Sequence, residues 1–119
     1  LYVAETPTGR VWAYPLSSPG EIDESQPRVM LAQRPDYHMF DSLAVDAEGN
    51  VCVATLITGG ISIHSPDGQQ VEFVETPDVL TTNIAFGGTD LKTAFITLSS
   101  TGQVVKMDWA TQGLKLNFA

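Results

Sequence analysis

The residues best suited to chemistry in this sequence are Asp41, which directly precedes the strand-like run Ser42–Asp46, and the polar residues His38 and Asn83. A carboxylate such as that of Asp41 can bind a hard cation, or accept a proton from water as a general base. His38 and Asn83 can contact a polar substrate. The plainer interpretations are a turn residue for Asp41 and a solvated loop histidine for His38.

Other motifs have weaker claims to chemistry. The segment Asp46–Asn50 is acidic, but the twelfth position of a calcium loop starting there would be Ile57 rather than Glu, so a hairpin turn is favoured. Gly87-Gly88 precedes a strand and therefore does not form a phosphate-binding loop. Cys52 lies in a strand without a neighbouring histidine, which indicates a small core residue.

Short apolar segments rich in Val, Ile, Phe, Tyr and Thr are bounded by turn residues along the whole chain, which predicts an all-β fold. The predicted strands are Leu1–Ala4, Arg10–Tyr14, Arg28–Ala32, Ser42–Asp46, Val51–Thr55, Ile61–His64, Gln70–Glu75, Asn83–Gly87, Thr93–Leu98 and Gln103–Asp108.

These strands recur with a period of roughly 41 to 50 residues, which is typical of the blades of a β-propeller. The repeat predicts an incomplete blade over 1–33, a full four-stranded blade over 34–76, and an incomplete last blade with the C-terminus over 77–119. A closed propeller needs about 4 to 8 blades, whereas this chain supplies between two and three. We therefore expect further blades from the same protein before Leu1.

The blade repeat also predicts where Asp41 lies in the propeller. The innermost strand of a blade starts near the propeller axis at one rim, and Asp41 stands just before such a strand. We therefore expect its carboxylate to point into the mouth of the central channel.

The composition excludes several classes of partner. Six Lys and Arg against fourteen Asp and Glu give a net charge of −8, which argues against binding to nucleic acid or to an anionic membrane. No apolar run approaches the roughly 20 residues of a membrane span. No signal segment is visible, and Cys52 has no partner for an internal disulfide. These observations predict a cytoplasmic protein.

Four segments carry a resemblance to a known family. Phe40–Ala54 is similar to the pattern PDGLAVDAEGNLWVA, and Asn83–Thr97 is similar to TNVAFGGPDLKTLYVT. Leu1–Thr6 resembles LYVADT, and Gly113–Phe118 resembles PGLPLNF. All four patterns are those of the SMP-30/gluconolactonase family, and they cover nearly the whole chain in the right order.

The resemblance implies a six-bladed propeller that binds one divalent cation, often calcium or zinc, at the channel mouth. It also implies hydrolysis of sugar lactones or related cyclic esters, with a small-molecule lactone or ester as the substrate. Asp41 matches the family's aspartate ligand and would also act as the catalytic base. The family's other ligands, a Glu and an Asn, would lie before Leu1. His38 and Asn83 are then the candidates for substrate contact.

Two other functions remain open at this stage. The protein could be a non-catalytic propeller that binds a ligand or another protein, or these residues could be a fragment without activity of their own. A Glu and an Asn before Leu1 would favour the enzyme, and their absence would favour the binding module.

Overall fold

The computed structural model describes residues 1–33 and 39–117 of the chain. These residues form twelve β-strands and one turn of 3-10 helix, Thr6–Thr8. The strands are β1 (Tyr2–Glu5), β2 (Arg10–Ala13), β3 (Leu16–Ser18), β4 (Glu21–Ile22), β5 (Val29–Gln33), β6 (Phe40–Val45), β7 (Val51–Thr55), β8 (Gly60–His64), β9 (Gln70–Glu75), β10 (Thr81–Gly87), β11 (Thr93–Leu98) and β12 (Gln103–Asp108).

The strands form three blade-like antiparallel sheets and one small hairpin. The central sheet has the order β6-β7-β8-β9 and is a complete four-stranded blade. It is flanked by the three-stranded sheets β1-β2-β5 and β10-β11-β12. The prediction of an all-β propeller is thus confirmed, with the chain covering between two and three blades. The proposed boundaries at 33/34 and 76/77 stay a prediction, and residue 34 lies outside the described residues.

Strand β7 shows why these sheets stack. Successive side chains of a strand point to opposite faces, and all five residues of β7 are buried. Val51 and Val53 pack on one face with Val11 and Phe40. Cys52 and Ala54 on the other face belong to a second core, whose remaining buried members are Ile61, Ile63, Ile84, Ala94, Ile96, Leu98 and Trp109. The central blade therefore contributes to one apolar core with each flanking sheet.

The outer faces of the flanking sheets remain exposed. Val3 and Met30 are exposed on the first sheet, and Phe95 and Val104 on the last. Isolated blades expose apolar surface of this kind until a neighbouring blade covers it. The exposed apolar residues on both outer faces therefore agree with a chain that supplies only part of a propeller.

Two features of the fold were not predicted. The hairpin of β3 and β4 lies in a segment for which no strand was predicted, and every residue of both strands is exposed. The two innermost strands also carry β-bulges, where the pairing register shifts between Phe40 and Leu43 on β6 and between Thr81 and Asn83 on β10.

Over the described ranges 1–33 and 39–117, no helix has the length and apolar character needed to cross a membrane. The prediction of a cytoplasmic location is not tested by the structure.

Candidate metal and substrate site at the blade rim

One rim of the stacked blades collects the segments that precede the inner strands and those that join the second and third strands of each blade. The 3-10 turn Thr6–Thr8, the turn between β7 and β8, and the turn between β11 and β12 all lie here. Two backbone hydrogen bonds lie along the rim. Within the central blade, the Leu56 N–H donates to the Met39 carbonyl at 2.8 Å, and towards the next blade, the Ile57 N–H donates to the Val79 carbonyl, just before β10, at 2.7 Å. The turn between β7 and β8 is therefore tied both to its own blade and to the segment before β10.

Asp41 lies within this rim, inside β6 rather than before it. It occupies the β-bulge of β6, where Phe40 pairs with Thr55 and Leu43 pairs with Val53. A bulge bends the strand and redirects the side chains of its extra residue. The half-buried Asp41 lines an open groove of about 270 Å³. The other lining residues are Ser42 and Leu43 of β6, Tyr2 and Ala4 of β1, and Thr6 of the 3-10 turn.

Asn83 lies in β10 beside the equivalent bulge, and its predicted contact with a substrate stays a prediction. Its side-chain oxygen accepts the backbone N–H of Ile84 at 2.8 Å, and the residue is exposed. The described lining of the groove beside Asp41 does not include Asn83. Strands β6 and β10 pack side by side, so the two bulges lie on neighbouring blades. His38, the other predicted substrate contact, lies outside the described residues.

A cluster of three hydroxyl groups occupies the rim of the last blade, and sequence reasoning did not single it out as a unit. The Thr82 hydroxyl lies 2.8 Å from the Thr97 hydroxyl and 2.9 Å from the Ser99 hydroxyl. Thr82 is half-buried and Ser99 is exposed. The available signal was the concentration of Thr and Ser at one end of two strands that pair with each other.

Asp78 is a second rim carboxylate that sequence reasoning missed. It is buried in the connection between β9 and β10, and its oxygens accept the backbone N–H groups of Leu80 and Thr101 and the Thr101 hydroxyl at 2.7 to 2.9 Å. Burial alone would raise the pKa of Asp78, but hydrogen bonds from Leu80, Ser100 and Thr101 outweigh it and hold the pKa well below the usual range. Asp78 is thus a structural anion that is already fully engaged.

Glu5 is the third carboxylate of the rim. The Thr8 hydroxyl donates to it, and a guanidinium nitrogen of Arg10 lies 3.9 Å from its carboxylate. The Thr8 hydrogen bond, assisted by the positive charge of Arg10, lowers the pKa of the Glu5 carboxyl. Glu5 therefore interacts with Thr8 of the 3-10 turn and with Arg10 of β2.

The side chains around Asp41 offer the oxygen atoms that a hard cation prefers, but the described residues offer too few charged ligands to hold one. Described polar residues of the groove (Tyr2, Thr6, Asp41 and Ser42) offer oxygen atoms, which hard cations such as Ca²⁺ prefer, whereas zinc favours nitrogen and sulfur. Within residues 1–33 and 39–117, no group of three or more His, Cys, Asp or Glu side chains is arranged to hold a metal ion. Asp41 is the carboxylate among the described lining residues of this groove.

The remaining motifs have structural roles. The buried Asp46 accepts the backbone N–H groups of Glu48 and Asn50, at 3.0 and 2.8 Å, which is the hairpin turn predicted for this segment. Burial, with a smaller contribution from nearby carboxylates, raises the pKa of the Cys52 thiol to about 12. His64 is buried, and the Phe40 ring packs against it edge-on at 5.8 Å between ring centroids.

A comparison with known protein families shows the family to which this chain belongs. Residues 1–100 match the model of the SMP-30/gluconolactonase/LRE-like region. The chain belongs to this family. It is 32% identical over 118 residues to a 6-deoxy-6-sulfogluconolactonase of Pseudomonas putida, an alignment that covers 94% of this chain and 39% of the relative. It is 30% identical over 118 residues to a diisopropyl-fluorophosphatase of Loligo vulgaris, which covers 97% of this chain and 36% of that protein.

Solved structures show the same fold. A calcium-binding regucalcin from Agrobacterium tumefaciens superposes with a TM-score of 0.82 at 20% identity, over 95% of this chain and 43% of that one. A luciferin-regenerating enzyme superposes with a TM-score of 0.74 at 21% identity, over 95% of this chain and 42% of that one. This chain thus spans less than half the length of each of these relatives and structural neighbours.

Proposed function

We propose that the full-length protein that contains these residues is a divalent-cation-dependent hydrolase of sugar lactones or related cyclic esters. The observation that carries this proposal is the position of Asp41 in the bulge of β6, beside a groove whose polar lining residues offer oxygen donors. Family membership and a relative named as a sugar lactonase support the reaction class. A structural neighbour described as calcium-binding supports the cation.

Asp41 has two roles in this proposal. Its carboxylate is a ligand of the cation, and it accepts a proton from the water that attacks the lactone carbonyl. The cation, when bound, supplies Lewis-acid polarisation of that carbonyl. Because the described donors around Asp41 are oxygens, we propose calcium ahead of zinc.

The rest of the site comes from blades that precede Leu1. The first sheet lacks an inner strand, and the edge of β1 that such a strand would occupy is unpaired within the described chain. By the blade repeat, the residue equivalent to Asp41 would stand about ten positions before Leu1. The family resemblance predicts an Asn there and a Glu in the first blade, and both would complete the ligand set.

Hydrolysis assays of the full-length protein test the function. The protein is incubated with δ-gluconolactone and, because one relative is named as a fluorophosphatase, with diisopropyl fluorophosphate in parallel. We expect lactone hydrolysis that is lost in a chelator and restored by Ca²⁺. Lactone hydrolysis that persists after complete removal of divalent cations would contradict the cation requirement, and absence of hydrolysis with every cation tested would favour the non-catalytic propeller.

A further inference from the structure

The hydroxyl cluster of Thr82, Thr97 and Ser99 lies where the last blade repeats the position of Asp41. Thr82 aligns with Asp41 in the blade repeat, and both residues lie in the bulge of an inner strand. The strands that carry them, β6 and β10, pack against each other. The rim therefore carries a carboxylate on the central blade and a hydroxyl group at the matching position of the next blade.

The cluster is held in place from two directions. The backbone N–H of Ser99 donates to the Leu80 carbonyl at 2.9 Å, which fixes the residue that follows β11. Thr97 lies within β11 and pairs with Asn83 of β10. The three oxygen atoms are thus positioned by backbone pairing, and a ligand would not have to order them.

Counting protons shows that the cluster can donate outwards. Three hydroxyl groups have three protons, and the two hydrogen bonds that centre on the Thr82 oxygen use two of them. One proton is left for an acceptor outside the cluster, and lone pairs remain to accept a donor. A group that both donates and accepts, such as an alcohol, matches this surface, whereas a purely apolar group leaves it unsatisfied.

We propose that Thr82 and Ser99 form a subsite that binds a hydroxyl group of the substrate, and that this subsite selects hydroxylated lactones over unsubstituted ones. This inference rests on the proposed lactonase function, because it places the substrate ring beside Asp41. The subsite adds a second polar contact of the last blade to the predicted one, Asn83, whose side-chain oxygen accepts the Ile84 N–H.

The test compares two lactones and two variants in the full-length protein. Thr82→Val keeps the β-branched shape and removes the central hydroxyl, and the exposed Ser99→Ala removes an outer hydroxyl with little risk to folding. For δ-gluconolactone we expect kcat/KM to fall about three- to tenfold in each variant, chiefly through KM, since one neutral hydrogen bond is lost. For δ-valerolactone, which has no ring hydroxyls, we expect a change smaller than twofold.

Ser62→Ala is the matched control, because it breaks another hydroxyl pair, the 2.8 Å contact with Thr55, inside the blade. It should lower stability and leave the ratio of the two lactone activities unchanged. An equal effect of Thr82→Val on both lactones, or no effect on either, would overturn the inference.

A binding measurement separates this inference from the proposed function. Calorimetric titration compares gluconate, which carries hydroxyl groups, with valerate, which has none, and requires no turnover. We expect Thr82→Val and Ser99→Ala to weaken gluconate binding three- to tenfold and to leave valerate binding unchanged. If the protein hydrolyses neither lactone, the function falls, and the inference then stands or falls on the gluconate comparison alone. Equal gluconate affinity in the variants, or no gluconate binding by the unmodified protein, would overturn it.

Discussion

The carboxylate of Asp78 accepts two hydrogen bonds from Thr101, from the backbone N–H at 2.9 Å and from the hydroxyl at 2.8 Å. These contacts join the segment before β10 to the turn between β11 and β12. The same buried carboxylate accepts the Leu80 N–H, which lies just before the bulge that carries Thr82. Asp78 thus joins two segments of the rim of the last blade.

Replacing Asp78 by Asn should make the free energy of unfolding depend less on pH in the acidic range. Asp78 has a folded-state pKa below its unfolded value of 3.8. Its contribution is therefore complete above about pH 5 and is lost as the pH falls below the unfolded pKa. We expect Asp78→Asn to lower the urea midpoint of the full-length protein at pH 7 and to differ progressively less from the parent as the pH falls towards 3.

The exposed Asp90→Asn serves as the control and should change the midpoint little at any pH. If Asp78→Asn and the unmodified protein differed by the same amount at pH 7 and pH 3, the assigned pKa direction of Asp78 would be wrong.

Gly59 and Gly102 form a matched pair for testing how tightly the rim is packed. Both precede the third strand of a blade with positive φ, 74° and 64°. A Cβ atom at Gly59 would lie 2.4 Å from the Asp78 carbonyl oxygen, whereas one at Gly102 would meet nothing within 4 Å. Gly102→Ala should cost about 1 kcal/mol from the backbone conformation alone, and Gly59→Ala about 1–3 kcal/mol more from the clash. Equal unfolding free energies for the two variants would show that the turn at Gly59 does not press against Asp78.

Ile57 has an unfavourable backbone conformation for a β-branched residue, with φ at 74°. Its N–H donates to the Val79 carbonyl, which holds the turn in this state. Ile57→Asn should raise the free energy of unfolding by about 0.5–1 kcal/mol, because Asn tolerates positive φ better. Ile22, which is 46% exposed compared with 47% for Ile57, gives the control Ile22→Asn. This control should not be stabilising. A loss of stability in Ile57→Asn as large as that in the control would contradict the strained turn.

Cys52 should be inert in the folded protein. Its side chain is fully buried and the pKa of its thiol is raised to about 12, so almost no thiolate is present at pH 8. We expect no alkylation by iodoacetamide over an hour in buffer and complete alkylation in concentrated urea, measured by intact mass. Rapid modification of protein whose circular dichroism remains native would show that the core around β7 opens.

The strands were predictable because the signals that mark them, apolar segments and the turn glycines between them, are local in the sequence. Apolar runs such as Val51–Thr55 and the glycines before the third strands repeat from blade to blade, so the order of β6 to β9 could be predicted from the residues alone. The hairpin of β3 and β4 was not predictable in this way. Its residues are all exposed, so no alternation of buried and exposed positions marks it.

The detail of the site depends on contacts between distant segments. The bulge at Asp41 is a property of its register with β7, which the sequence of β6 does not specify. Pro77-Asp78 looks like an ordinary turn until Thr101, 23 residues later, donates to its carboxylate. The start of an inner strand close to Asp41 could therefore be predicted, whereas the bulge that holds Asp41 and the hydroxyl cluster of the next blade could not.

The most direct test of the account is the metal content and lactonase activity of Asp41→Ala in the full-length protein, measured side by side. The control is Asp108→Ala, which removes an exposed carboxylate at the opposite end of the last blade. We expect kcat/KM for δ-gluconolactone to fall at least 100-fold in Asp41→Ala. By elemental analysis, this variant should retain less than one tenth of the parent's bound calcium, and its circular dichroism spectrum should be unchanged. Asp108→Ala should match the parent in all three measurements. Full calcium occupancy together with lactonase activity within a few-fold of the parent in Asp41→Ala would contradict the assignment of this residue as ligand and base.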